Sequence, residues 1–268
     1  MLHITSIHNP RVKHLLDLRE RRAREQAGQM LVEGYAELAL ALECGARPLA
    51  LYYCPALISD PEQQALLSRA QQAGAELIEV SERVFQKIAY RDGPDGWLGV
   101  FALRRRRLYD LVLPPKPLLL VAEAVEKPGN LGAMLRTADA AGVDALISCD
   151  PNTDLGNPNV VRASKGAVLS VPVAEAGAEE TIAWLKERHI KIVAAAPAAA
   201  HDFTALDLSG PLAIVVGAEK TGLTRRWLDQ ADLQVRIPMA GRVNSLNVSV
   251  AAALLVYEAL RQRRACHT

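Results

Sequence analysis

The sequence predicts an α/β protein of two domains, the second built on a mostly parallel sheet. Three observations point there. Short apolar runs alternate with helix-spaced segments along the whole chain. The alternation is broken once, by "RRRRLYDLVLPPKP", where four arginines and Pro114, Pro115 and Pro117 mark a linker. At 268 residues the chain is long for one core and suits two. The divisions read as a domain over residues 1–103, a linker over 104–117 and a second domain over 118–268.

In the first domain, "NPRVKHLLDLRERRAREQAG" spaces Val12, Leu15, Leu16 and Leu18 for a helix that Gly28 can end. "QMLVEG" is a short strand and "YAELALALECG" a helix stopped by Gly45. "PLALYYC" is a strand. "DPEQQALLSRAQQAG" is a helix with Asp60 as cap and Pro61 in its first turn, and "AELIEV" is a strand. "SERVFQKIA" is a helix capped by Ser81, and "GWLGVFAL" closes the domain as a strand.

The second domain opens with "LLLVAEAV", a buried strand, followed by the helix "NLGAMLRTADAAG". "DALISCD" is a strand and "PNTDLGNPNVVRASKG" a long polar loop with room for a short helix. "AVLSVPV", "IKIVAAA", "LAIVV" and "LQVRIPM" complete six strands, with helices in "AEETIAWLKERH" and "LTRRWLDQA" and from Leu246 to Arg263. That last helix is apolar on every face, which predicts deep burial.

Composition excludes several classes. Half the residues are hydrophobic, but no apolar run reaches the ~18 residues of a membrane span. The N-terminus lacks the apolar core and cleavage site of a signal peptide, so a cytoplasmic protein is expected. The four cysteines show no metal-binding spacing and the six histidines are scattered; reduced thiols and no metal are expected. Net charge is +1, which is neutral on nucleic acid. Two local clusters are not: Arg19, Arg21, Arg22 and Arg24, and the run Arg104, Arg105, Arg106 and Arg107. They flank one domain, which favours a phosphate-backbone contact over two unrelated solvated faces.

Ligands of open α/β sheets bind outside the carboxyl ends of strands, and three such ends carry unusual polar residues. In "EKPGNLGAMLRTADAAG", Asn130 stands at a helix start, where it can cap, and Arg136 interrupts an apolar helix. The glycines of a dinucleotide fingerprint are missing, which disfavours NAD. In "GAEKTGLT", Gly217 and Gly222 have the spacing of a P-loop, yet Leu223 fills the lysine position and Glu219 would repel an anion. In "IPMAGRVNSLNVSV", Asn244, Ser245 and Asn247 cluster before the last helix; capping accounts for one of them.

Taken in order, "NLGAMLRTADAAG", "VVGAEKTGL" and "IPMAGRVNSLNVSVAAALLVYE" resemble the three motifs of the SpoU (TrmH-like) RNA ribose 2'-O-methyltransferases of the SPOUT superfamily. The resemblance covers residues 116–264. Residues 1–103 resemble, less specifically, the L30e-like substrate-binding domain of many members. The resemblance implies a sheet threaded into a deep trefoil knot, which connection rules alone would not suggest. It implies S-adenosylmethionine as cofactor, held by backbone groups of Gly217, Ile237 and Leu246. It implies a polar active-site set of Asn130, Arg136, Glu219, Ser245 and Asn247, and a homodimer through the C-terminal domain.

The chemistry it implies is in-line attack of a ribose 2'-hydroxyl on the sulfonium methyl, with positioning as the main source of rate. A guanidinium is a poor base. Arg136 is therefore expected to clamp the adjacent phosphate and stabilise the developing alkoxide, oriented by Glu219. Ser245 and Asn247 are expected to bond the ribose or the cofactor carboxylate. The substrate that the resemblance of the first domain favours is large-subunit (23S-type) ribosomal RNA. The alternatives are a transfer-RNA methyltransferase of the same family and a non-catalytic RNA-binding protein with this fold.

Overall fold

The computed structural model describes residues 2–103 and 105–265. They cluster into two compact units. The first comprises residues 1–104 together with Asp154–Ser170, and the second Arg105–Thr153 together with Val171–Thr268. The long polar loop assigned to the second domain from sequence thus belongs largely to the first unit.

In chain order the first unit contains β1 (Leu2–Ile4), α1 (Pro10–Asp17), α2 (Arg21–Ala27), β2 (Gln29–Glu33), α3 (Tyr35–Glu43), β3 (Pro48–Tyr53), α4 (Ala65–Gln72), β4 (Glu76–Val80), α5 (Glu82–Ile88) and β5 (Trp97–Ala102). The second begins with β6 (Leu118–Glu123), α6 (Pro128–Ala141) and β7 (Ala145–Cys149). The chain then returns to the first unit for α7 (Pro158–Ser164) and α8 (Ala167–Ser170). It completes the second with β8 (Val173–Ala176), α9 (Ala178–Glu187), β9 (Lys191–Ala195), β10 (His201–Asp202), β11 (Leu212–Val216), α10 (Arg225–Gln230), β12 (Leu233–Arg236) and α11 (Val248–Ala265).

The first sheet has the order β1-β4-β3-β5-β2, parallel across β1, β4 and β3 and antiparallel across β3, β5 and β2. The period-two alternation of strands divides its side chains between two cores. Leu31, Tyr52, Leu98 and Val100 join Val12, Leu15 and Phe85 on one face. Met30, Val32, Leu51, Tyr53, Trp97 and Phe101 join Leu38, Leu66 and Val161 on the other. Val161 lies on α7, so the inserted segment completes this second core. Gly166, at φ +88°, packs so closely that a Cβ would lie 3.1 Å from the Glu37 backbone. That approach lets α8 pack on α3. Residues 167–170 are helical, where the sequence suggested a strand.

The single first helix expected from the sequence is two, broken after Leu18. Arg24 provides the reason. Its guanidinium is 1% exposed and bonds the carbonyls of Leu18 and Arg19 at the break, as well as both carboxylate oxygens of Asp154 at 2.9 and 2.7 Å.

The second sheet runs β10-β12-β9-β11-β6-β7-β8, every pairing parallel. β10, of two residues, is a strand the sequence did not reveal. Leu119, Val121, Ile147, Ile192, Ala213 and Val215 form one core with Trp184 and Trp227 from α9 and α10. α11 packs on α6 and β11. It is not buried all round: Ala252, Leu255, Val256 and Ala259 are buried, whereas Val250, Leu254 and Tyr257 are 40–48% exposed. Cys54 and Cys149 are buried and Cys44 is exposed; Cys266 lies outside the described residues. Burial pushes the Cys149 thiol up to about 12, which makes it unreactive.

Candidate active site

The carboxyl end of the second sheet gathers three polar side chains into one hydrogen-bonded line. Glu219 lies in the turn after β11, Asn130 in the first turn of α6, and Asn247 just before α11. Asn130 Nδ2 donates to Glu219 Oε1 at 2.6 Å, and Asn247 Nδ2 donates to Asn130 Oδ1 at 3.1 Å. Asn130 is therefore not a helix cap. It lies within the helix, 8% exposed, with both ends of its amide engaged.

Glu219 also accepts from the backbone N–H groups of Glu126 and Lys127 at 3.0 and 3.1 Å. Burial acts to raise its pKa. The bonds from Glu126, Asn130, its own backbone and Lys127 outweigh that and leave it below the usual carboxylate value. The charge also sits at the positive end of α6. Glu219 is a fixed anion and a poor proton acceptor.

The turn itself is closed. A Cβ on Gly217 would lie 2.2 Å from the Gly222 carbonyl carbon, so only glycine permits the fold-back. The Gly222 N–H donates to Ala218 O at 2.9 Å. The exit is held by Glu123, the last residue of β6 and 2% exposed. Its Oε2 accepts from Thr224 N at 2.9 Å and its Oε1 from the Thr224 hydroxyl at 2.6 Å. Sequence reasoning missed Glu123 because "LLLVAEAV" reads as one apolar strand; a carboxylate at the carboxyl end of such a strand was the available signal.

Residues 237–246 form no helix or strand, and their backbone groups bond no other described group. Ile237 is half-buried in this stretch, and Leu246 is 37% exposed. Gly217 is buried in the facing turn. Backbone donors and acceptors left free beside apolar side chains suit a small ligand held through main-chain contacts. No cluster of metal-binding side chains exists among the described residues.

Two expected members of the site stand apart. Arg136 is exposed and pairs with no described group. It follows Asn130 by six residues, about 9 Å along α6 and about 120° around it. Glu219 does not orient it, because both its oxygens are committed to residues 126, 127 and 130. Ser245 is exposed, and its hydroxyl reaches Asn244 at 3.4 Å.

The two arginine clusters divide. Arg24 is buried against Asp154 and is not available to a phosphate. Arg19 donates to the carbonyls of Lys87, Ile88 and Ala89 at the end of α5 and lies over the Tyr90 ring. Both close the first unit's own structure. Arg21 and Arg22 are exposed, Arg21 pairing with Glu25. Arg105, Arg106 and Arg107 are exposed, Arg105 near Glu175. Arg104 lies outside the described residues.

The polar line and the glycine-closed turn stand at the carboxyl end of a parallel sheet, where open α/β sheets bind ligands, and known proteins identify the site. Residues 117–257 match the SpoU rRNA Methylase family, and residues 9–99 match the MRM3-like substrate binding domain. The chain is 36% identical over 239 residues to a 23S rRNA (guanosine-2'-O-)-methyltransferase of Ralstonia nicotianae, covering 87% of this chain and 96% of that protein. A solved RNA 2'-O ribose methyltransferase is 42% identical with a TM-score of 0.85, covering 98% of this chain and 100% of its own. An AdoMet-bound rRNA methyltransferase from Sinorhizobium meliloti is 32% identical with a TM-score of 0.89, over 97% of both chains. The chain belongs to the SpoU rRNA methylase family. Its first unit contains that family-associated substrate-binding domain, joined by the inserted segment Asp154–Ser170.

Proposed function

We propose that this protein transfers a methyl group from S-adenosylmethionine to a ribose 2'-hydroxyl of RNA, and that the RNA is large-subunit ribosomal RNA of the 23S type. The carrying observation is the line Glu219–Asn130–Asn247 beside the unpaired backbone of residues 237–246. The 23S reading draws on the Ralstonia relative and on the matched substrate-binding domain.

S-adenosylmethionine supplies an electrophilic methyl that needs no metal. Gly217, Ile237 and Leu246 hold it through backbone groups. Asn130, with its amide fixed at both ends, and Asn247 present oriented polar groups at the mouth of the site. Arg136, exposed and unpaired, binds the RNA phosphate beside the target ribose and stabilises negative charge developing on its oxygen. Ser245, also exposed, bonds the ribose or the cofactor carboxylate. Arg21, Arg22, Arg105, Arg106 and Arg107 contribute phosphate contacts.

The protein acts in the cytoplasm, in keeping with its rRNA methyltransferase relative. No helix among the described residues is long and apolar enough to cross a membrane. It works as a homodimer. Val250, Leu254 and Tyr257 recur at helical spacing as an exposed apolar stripe on α11, and a two-fold pairing would cover it. A knot of the kind the resemblance implies would bring Gly217, Ile237 and Leu246 to one cofactor.

Calorimetry with S-adenosylmethionine, followed by mass mapping of ribose methyls on RNA from cells with and without the gene, tests the reading. One 23S site lost without the gene is the expected result. A lost transfer-RNA site would move the substrate to that class. Absence of any methyl difference would leave a non-catalytic RNA binder.

A further inference from the structure

We propose that Glu123 is a positioning residue that sets the shape of the cofactor turn, so that affinity for S-adenosylmethionine depends on this buried carboxylate. The inference rests on the methyltransferase reading above.

Glu123 is 2% exposed, and its two oxygens meet only the N–H and hydroxyl of Thr224. No lysine, arginine or histidine among the described residues pairs with it. A carboxylate buried without a counter-ion is costly, and removing it from water is offset here only by those two donors. An apolar residue would suit the strand end better if packing were the sole requirement, because the neighbouring β6 side chains are buried and aliphatic.

Helix capping alone does not account for the pair. A threonine that caps a helix turns its oxygen to accept from the second or third amide of that helix. Thr224 precedes α10 but makes no such bond. Its hydroxyl donates backwards to Glu123 at 2.6 Å. The pair therefore fastens the exit of the turn to β6.

The tip of the same turn is fastened in the opposite sense, by Glu219 reaching to the amides of residues 126 and 127 and to Asn130. The base of the turn is closed by the contact of Gly217 with Gly222. A closed turn held at tip and exit moves as one body. Its tilt against β6, and with it the direction of its backbone groups, is set by the Glu123–Thr224 pair.

The test compares wild type, Glu123→Ala and Thr224→Val by calorimetry with S-adenosylmethionine, each well below its own melting temperature, alongside KM for S-adenosylmethionine and kcat. The positioning role predicts that Kd and KM rise about tenfold for Glu123→Ala, and several-fold for Thr224→Val, which keeps its volume and loses one donor. The expected kcat at saturating cofactor changes much less. A lower melting temperature with unchanged Kd and KM in the folded variants would make the pair merely structural and overturn the proposal. If Glu123→Ala does not fold, Thr224→Val decides by the same criterion. A wild-type protein that binds no S-adenosylmethionine would overturn the methyltransferase reading itself, and this inference with it.

Discussion

Asn130 and Glu219 stand 89 residues apart in sequence and share a hydrogen bond of 2.6 Å, with the amide as donor and the carboxylate as acceptor. The bond joins the first helix of the catalytic sheet to the turn after β11. Asn130→Asp replaces the donor with a second acceptor at the same distance. Ionising two carboxylates so close together is costly. The variant should lose activity at least tenfold at pH 7. Its melting temperature should recover toward wild type as the pH is lowered to 5, where one of the pair takes up a proton. A thermal-shift series across that range checks this.

Glu219 has its pKa depressed on folding. Its contribution to stability is therefore present above the ordinary carboxylate value of about 4.3 and is lost as pH falls through the folded value. Cofactor binding should be flat from neutral pH down to the ordinary carboxylate value of about 4.3 and fall only below it. Glu219→Gln should weaken binding at pH 7 and remove that acid limb. Calorimetric titrations at several pH values read both effects.

Arg136 is exposed and bonded to nothing described. Replacing it should leave stability within about 0.5 kcal/mol of wild type. Arg136→Ala should still bind S-adenosylmethionine but not methylate RNA. Arg136→Lys should fail too, because an ammonium lacks the planar fork that grips a phosphate with two bonds. Near-full activity in the lysine variant would reduce the role to simple charge.

The arginines of the first unit should separate cleanly. Arg24→Ala leaves Asp154 charged and buried, at a cost of about 3–5 kcal/mol. Replacing Arg21, Arg22, Arg106 and Arg107 together should spare stability and weaken RNA binding. The slope of log affinity against log salt should fall by about 0.7–0.9 for each phosphate contact removed. Denaturant melts and salt-dependent binding curves distinguish the two groups.

The alternation of helix and strand was legible because period-two and helical spacing survive in a single sequence. The strand order was not, since it depends on pairings between distant segments. The three polar motifs were legible as a set. Their internal wiring was not: Asn130 looked like a cap and Glu219 like a partner for Arg136. Only the fold brings the 126–127 amides to the Glu219 carboxylate. Arg19 and Arg24 looked like surface charge because their partners, the carbonyls at the end of α5 and Asp154, lie 68–70 and 130 residues away. The excursion of residues 154–170 into the first unit left no signal beyond the length of a polar loop. Deep burial of the last helix does not hold at Val250, Leu254 and Tyr257, because apolar residues on every face of a helix do not say whether their cover comes from the same chain.

That stripe gives the assembly prediction. Val250→Glu with Leu254→Glu should convert a dimer to a monomer in sedimentation at micromolar concentration. A wild-type protein already monomeric there would show that the stripe has another use.

Transfer of a labelled methyl group tests the central claim most directly. Purified protein is mixed with S-adenosylmethionine carrying a labelled methyl and with unmodified large-subunit ribosomal RNA, and the RNA is then digested to nucleosides. The account predicts label in a single 2'-O-methylnucleoside, with none when Arg136→Ala replaces the wild type. Label on a base, or none at all with a protein that binds the cofactor, would contradict it.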